Sequence, residues 1–288
     1  MLNSEARGVL IPIGGNEDKG VGDNEMYTQE FIDEGILSHV VREAGGPSAL
    51  ILVIPTASSI PDQILQSYQE AFDLLGCANV LPLDIRERDQ SEDVENLSLM
   101  SKAKAVMFSG GDQSKITTKI GGTSLHKIMV ERYQTDGLVI AGTSAGAMCM
   151  SNHMITGGNT TEAFRKGVVG MGKGLGLTPK LIIDSHFIQR GRFGRLTEAV
   201  ARFPDLVGVG LAEDTGLIIR NDDEFQVIGS GMVILFDGRK LEHNNEAILQ
   251  EGCSMTLTNM VTHVLSNGDR FEISTRKIKV LPIGSPFI

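Results

Sequence analysis

Only three cysteines, at positions 77, 149 and 253, occur in 288 residues. An odd number without paired spacing indicates neither a disulfide framework nor a zinc knuckle. Long apolar runs are missing as well. None reaches the ~18 residues that a membrane-crossing helix needs, and the first seven residues carry no apolar stretch of an export signal. Positive charge is scarce: 26 Lys and Arg stand against 36 Asp and Glu, a formal charge of −10. General nucleic-acid binding runs on clustered cations and is disfavoured, although a local basic pocket is not excluded. There is no Gly-x-x-x-x-Gly-Lys run, and Gly14-Gly15 has no third glycine at the offset of a dinucleotide fingerprint. No histidine–carboxylate cluster has metal-ligand spacing. The expectation is a cytoplasmic protein without metal, cofactor, membrane or nucleic acid.

What remains is an ordinary globular composition, 41% hydrophobic and 22% charged, which excludes wholesale disorder. Short apolar runs alternate with amphipathic stretches. Residues 9–13, 49–55, 80–83, 103–108 and 138–141 read as strands. Helical spacing is read over about 25–44, from Pro61 to about Leu75, from a cap at Ser91 to about Ser101, and brokenly over 114–134. Strands apolar throughout, alternating with helices, predict a parallel sheet covered on both faces. After about residue 205 the pattern changes. Residues 207–211, 216–220, 225–228, 233–236, 271–273 and 278–281 read as strands, with one late helix near 256–265. One α/β domain is expected, with a core over about 1–205 and a mixed, β-rich extension over about 206–288.

In such sheets ligands bind beyond the carboxyl ends of the strands. Those ends carry Gly14-Gly15-Asn16-Glu17, Thr56-Ala57-Ser58, Gly110-Gly111-Asp112-Gln113 and Gly142-Thr143-Ser144-Ala145-Gly146. The last matches Gly-x-Ser-x-Gly between a strand and a helix, the nucleophile elbow, where a sharp turn lifts the serine hydroxyl into the site. The Ala145 amide would face a developing oxyanion, and Gly111 is the second candidate donor. An ordinary glycine-rich turn is the plain alternative for each. Of six histidines, His186 follows the strand-like Leu181-Ile182-Ile183 at the expected edge and is the candidate base. His39 and His126 sit in amphipathic stretches, His243 in a polar turn and His263 in the late helix. His153, nine residues past Ser144, is discounted as pointing away along the same helix. For an orienting acid, Glu213 at the end of an apolar strand competes with Asp214 and Asp184, and the pattern does not separate them. Arg190, Arg192 and Arg195 offer carboxylate recognition beside His186, or else a solvated helix face.

Together these motifs resemble the cyanophycinase family, with aspartyl dipeptidase a more distant relative. The resemblance rests on residues 13–19, Ile54-Pro55-Thr56-Ala57-Ser58, residues 110–113, residues 142–147, Asp184-Ser185-His186-Phe187 with Arg190, Arg192 and Gly194-Arg195-Leu196, and residues 210–215. It implies a three-layer, flavodoxin-like or class I glutamine-amidotransferase-like serine peptidase. The triad would be Ser144, His186 and Glu213, and Gly111 and Ala145 would form the oxyanion hole. It implies cyanophycin or a β-aspartyl peptide as substrate, β-Asp-Arg as product, and a homodimer. Asp112, Gln113, Asp184, Ser185, Arg190, Arg192 and Arg195 are the substrate-side candidates. Where the family usually has Asp-Gln-His, this chain has Asp184-Ser185-His186, which bears on substrate preference. The competing readings are an esterase with the order Ser, acid, His, using Asp184 with His243 or His263, and an inert binding module.

Overall fold

The structure is a computed structural model that describes residues 6–21, 29–158 and 164–288. In chain order, the first part runs β1 (Val9–Ile13), α1 (Ile36–Glu43), β2 (Ile51–Ile54), α2 (Pro61–Leu74), β3 (Val80–Pro82), α3 (Val94–Lys102), β4 (Ala105–Phe108), α4 (Gln113–Lys119), α5 (Ser124–Thr135), β5 (Val139–Thr143) and α6 (Ala145–Met148). There follow β6 (His153–Gly158), β7 (Val169–Lys173), β8 (Leu181–Asp184), α7 (Phe193–Arg202), β9 (Val207–Leu211), β10 (Thr215–Arg220), β11 (Glu224–Gly229) and β12 (Met232–Asp237). The last strands are β13 (His243–Asn244), β14 (Leu257–Thr258), β15 (Val261–Ser266), β16 (Arg270–Glu272) and β17 (Lys277–Lys279).

The central sheet has nine strands in the order β17-β16-β11-β10-β1-β5-β4-β2-β3. The five strands from β1 to β3 in that order are parallel, and β10, β11, β16 and β17 continue the sheet antiparallel. Alternate side chains explain the layering. Ile11, Ile51, Val53, Met107 and Val139 pack under α1 and α2 on one face. Leu10, Leu52, Val106 and Ile140 face the other way, onto α3, α4, α5 and a second sheet, β15-β12-β9-β8. The outer side of that second sheet is covered by α7 through Leu196, Ala199 and Val200 against Ile182, Ile234 and Phe236. The β-rich part is therefore woven into the central sheet and adds a layer, where a terminal extension was expected.

Several expectations shift. The helix read from residue 25 is α1 alone, because residues 31–34 form turns, and residues 22–28 lie outside the description. So do residues 1–5, on which the reading of an absent export signal rests. Pro61 does open α2. Ser91 caps nothing: its hydroxyl donates to the Lys119 carbonyl, and α3 starts after Asp93. The late helix near 256–265 is instead β14 and β15. Val261, Thr262 and Val264 are β-branched, and the segment pairs with β12 from Met232↔Ser266 to Asp237↔Val261. The helix after Ser144 ends at Met148, so His153 begins β6 and stacks on Phe203. Among the described residues no helix is long and apolar enough to cross a membrane.

Candidate active site

Four strand ends meet at one point, and each turns away through a residue with positive φ: Gly15 (108°) after β1, Ser144 (51°) after β5, His186 (44°) after β8 and Asp214 (46°) after β9. Non-glycine residues held there store strain, and such positions cluster at functional sites. The joint is made by backbone. Ser144 N–H donates to the Ile13 carbonyl at 2.8 Å, His186 N–H to the Gly14 carbonyl at 2.7 Å, and Asp214 N–H to the Gly15 carbonyl at 2.9 Å. Consecutive carbonyls of one segment thus anchor residues from both sheets.

The elbow is as tight as its glycines require. A Cβ on Gly142 would stand 2.6 Å from the Gly146 backbone, and one on Gly146 would stand 2.6 Å from the Phe108 carbonyl oxygen. Only glycine lets α6 cross its own strand so closely. The first intrahelical bonds run from Ala147 and Met148 N–H to the Ser144 carbonyl, which leaves the Ala145 amide at the open helix end. Gly110 faces the same place: a Cβ there would lie 3.5 Å from the Ser144 Cβ. The structure so brings Gly110 and Ala145 to Ser144, with Gly111 the next residue, backed by Ala57.

The His186 Nδ1 lies 2.6 Å from Glu213 Oε1. Asn16 Nδ2 donates to Glu213 Oε2 at 3.3 Å, and Gln189 Oε1 accepts from the Glu213 amide at 3.3 Å. Glu213, of the three candidate acids, is the one on the imidazole. Asp214 turns instead to the Asp18 amide, its carboxyl pushed up by burial. Gly15 backs the imidazole directly, since a Cβ there would sit 2.4 Å from His186 Cε1. His186 titrates below its ordinary value. Burial is the largest cause, the hydrogen bond to Glu213 opposes it, and the nearby Arg190 and Arg192 charges add to the lowering. A half-buried, neutral imidazole oriented by a carboxylate is equipped to take a proton near neutrality. Ser144 Oγ itself rests 3.4 Å from Ser185 Oγ.

Asp184, Ser185 and Arg195 belong to the frame beneath the site. Asp184 is fully buried and receives Arg195 Nε at 2.6 Å, Arg192 at 3.1 Å and the Ser185 amide at 2.9 Å. A buried carboxylate demands such partners, and with them it has no face for a ligand. Asp184, Ser185 and Arg195, expected on the substrate side, are buried among these partners. Gln113 is also buried and donates to the Ile155 carbonyl at 2.8 Å, fastening α4 to β6. Asp112 is exposed and caps α4 through the Ser114 amide at 2.8 Å. Arg190 is exposed, whereas Arg192 is half-buried.

His243 lies on an exposed β13, and His263 on β15, with two strands between it and β8 and beside Phe271. The residues of the esterase order are not assembled. Sequence reasoning missed Asn16 and Glu17 as individual residues. Glu17 is 2% exposed. It accepts from Tyr68 Oη and Thr143 Oγ1, each at 2.5 Å, and from Lys19 at 3.0 Å. A carboxylate directly after an apolar strand and its glycine turn was the available signal.

Residues 26–228 match peptidase family S51. The chain belongs to this family. The S51 assignment agrees with the cyanophycinase resemblance carried by the motifs, and the chain is a hydrolase of the peptidase class. The cyanophycinase of Trichormus variabilis is 38% identical over 269 residues, covering 93% of this chain and 87% of that protein. The cyanophycinase of Geminocystis herdmanii is 34% identical over 271 residues, covering 94% and 96%. Among solved structures, a peptidase from an acI-B1 Actinobacterium superposes with a TM-score of 0.61 at 22% identity, over 90% of this chain and 98% of that one. A putative peptidase E protein from Listeria monocytogenes superposes with 0.52 at 16% identity, over 77% and 98%. Both bear on the fold, a mixed α/β peptidase fold with a central, largely parallel sheet.

Proposed function

We propose that this S51 chain is a serine peptidase that hydrolyses cyanophycin and releases β-Asp-Arg through an acyl-enzyme on Ser144. The His186–Glu213 pair at 2.6 Å, anchored on the same carbonyl segment as Ser144, carries the chemistry. The substrate is argued from the named cyanophycinases that the chain resembles over 93% of its length. The order β3-β2-β4-β5-β1 supports a flavodoxin-like core, with β1 in the place of the last strand.

In the proposed reaction His186 Nε2 takes the Ser144 proton as Oγ bonds the peptide carbonyl carbon. The carbonyl electron pair moves onto oxygen, held by the Gly111 and Ala145 amides. That pair returns, the C–N bond breaks, and His186 gives its proton to the departing amine. Water, deprotonated by His186, then opens the ester. Arg190 supplies a cation for a free carboxylate and Asp112 an anion for a substrate guanidinium, as a polymer bearing both signs requires.

Incubation with purified cyanophycin, followed by mass spectrometry, tests this. β-Asp-Arg is expected from the wild type and is absent from folded Ser144→Ala. Release by Ser144→Ala, or no release by the wild type, removes the reading.

A further inference from the structure

Ser185 has no exposed surface, yet its hydroxyl oxygen lies 3.4 Å from the candidate nucleophile. Two other groups meet that oxygen. Arg192 donates to it at 3.3 Å, and the hydroxyl itself donates to Met148 Sδ at 3.3 Å. The same Arg192 nitrogen is pinned by the Ser185 carbonyl at 2.7 Å and by Asp184 at 3.1 Å. The cation is thus fixed behind the hydroxyl and polarises it. A thioether is a weak acceptor, so the Ser185 proton is loosely held, and the neighbouring Ser144 Oγ becomes a far stronger acceptor when it turns anionic.

We propose that Ser185 is a catalytic residue that donates a hydrogen bond to Ser144 Oγ as this oxygen is expelled from the acyl carbon, with Arg192 as its positioning residue. The proposal rests on the serine-peptidase reading and adds a donor to it. In the resting protein the Ser185 hydroxyl has the Met148 sulfur as one acceptor, and either serine can be the donor in the contact between the two. In deacylation the C–Oγ bond breaks and its electron pair passes to Ser144 Oγ. The Ser185 O–H then turns from sulfur to that oxygen until His186 returns a proton to it. Ser185 keeps its own proton throughout. The bond is weak in the ground state and charge-assisted at the barrier, the condition under which a contact accelerates a reaction.

Ser185→Ala removes the donor and leaves the His186–Glu213 pair intact. Two substrates are used: cyanophycin, and p-nitrophenyl acetate as a probe independent of peptide recognition. The expected result is a kcat about tenfold lower, the worth of one such bond, with KM not raised. The ester burst should keep its amplitude, and intact-mass spectra of quenched reactions should show acylated Ser144 accumulating. The acid limb of the pH profile should stay in place. An unchanged kcat, or a loss without accumulated acyl-enzyme, assigns Ser185 to packing and overturns the proposal. If the wild type turns over the ester at Ser144 but not cyanophycin, the substrate reading alone falls, and the Ser185 proposal is judged on the ester. If the wild type acts on neither, both fall.

Discussion

At the scale of single residues, the imidazole of His186 is the most informative group. Its value lies below the ordinary 6.5, mainly through burial and with help from Arg190 and Arg192. As the proposed base, His186 works only when neutral, so activity should rise with pH through a midpoint below 6.5. Arg190→Gln removes one of the charges that lower it, and the acid limb of kcat/KM should move to higher pH. A limb that stays put or moves down would contradict this electrostatic account. Glu213→Gln tests the partner. The fold should survive while kcat drops by about 10²–10⁴, because the amide no longer favours the imidazolium. Gly15 gives a steric counterpart. A methyl there would meet His186 at 2.4 Å, so Gly15→Ala should displace the ring and cost most of the activity.

At the scale of elements, the buried carboxylate of Glu17 ties β1 to β5 and α2 through Thr143 and Tyr68. Burial alone would push its carboxyl up. Lys19 and the two hydroxyl donors outweigh that and bring it below the ordinary 4.5. A depressed carboxyl stabilises the fold above its unfolded value, and the contribution is lost as pH falls through the folded one. Glu17→Ala leaves two buried hydroxyls without an acceptor and should cost about 2–4 kcal/mol, read in urea titrations at neutral pH. Near pH 3 the difference from wild type should shrink.

The parallel strands were legible because each is apolar throughout and closed by small residues, as in Val139–Thr143 before Ser144. His186 stood out as a candidate because it follows such a strand, whereas Glu213 was not separable from Asp214 and Asp184 until the 2.6 Å contact with the imidazole was seen. The β15 strand was not, because its apolar spacing also suits a helix, and only pairing with β12 decides it. Nor could spacing reveal that Arg195, in the first turn of α7, reaches back to neutralise Asp184. That contact buries both groups together. The β6–β7 hairpin, rich in glycine and irregular between Ile155 and Gly157, gave no strand pattern to read.

At the scale of the whole molecule, one core spans both sheets: Leu10 and Val106 of the central sheet share it with Val209 and Leu235 of the second. The candidate site straddles their junction, with Ser144 from one side and His186 and Glu213 from the other. Loosening the junction should therefore abolish catalysis together with global structure. In urea, activity and near-ultraviolet circular dichroism should fall along a single coincident curve. Activity lost well before the spectroscopic signal would mean that the second sheet detaches on its own.

The carbonyls of Ile13, Gly14 and Gly15 clasp Ser144, His186 and Asp214 through main-chain groups alone. The bonds of this joint use no side-chain atom, while Gly14 and Gly15 leave no room for a side chain. The rim, where Asp112 and Arg190 reach solvent, can therefore be rewritten by mutation while the underlying joint of four strand ends stays assembled. Retargeting such a protein toward a differently charged peptide is an alteration of its outline, with its machinery left in place.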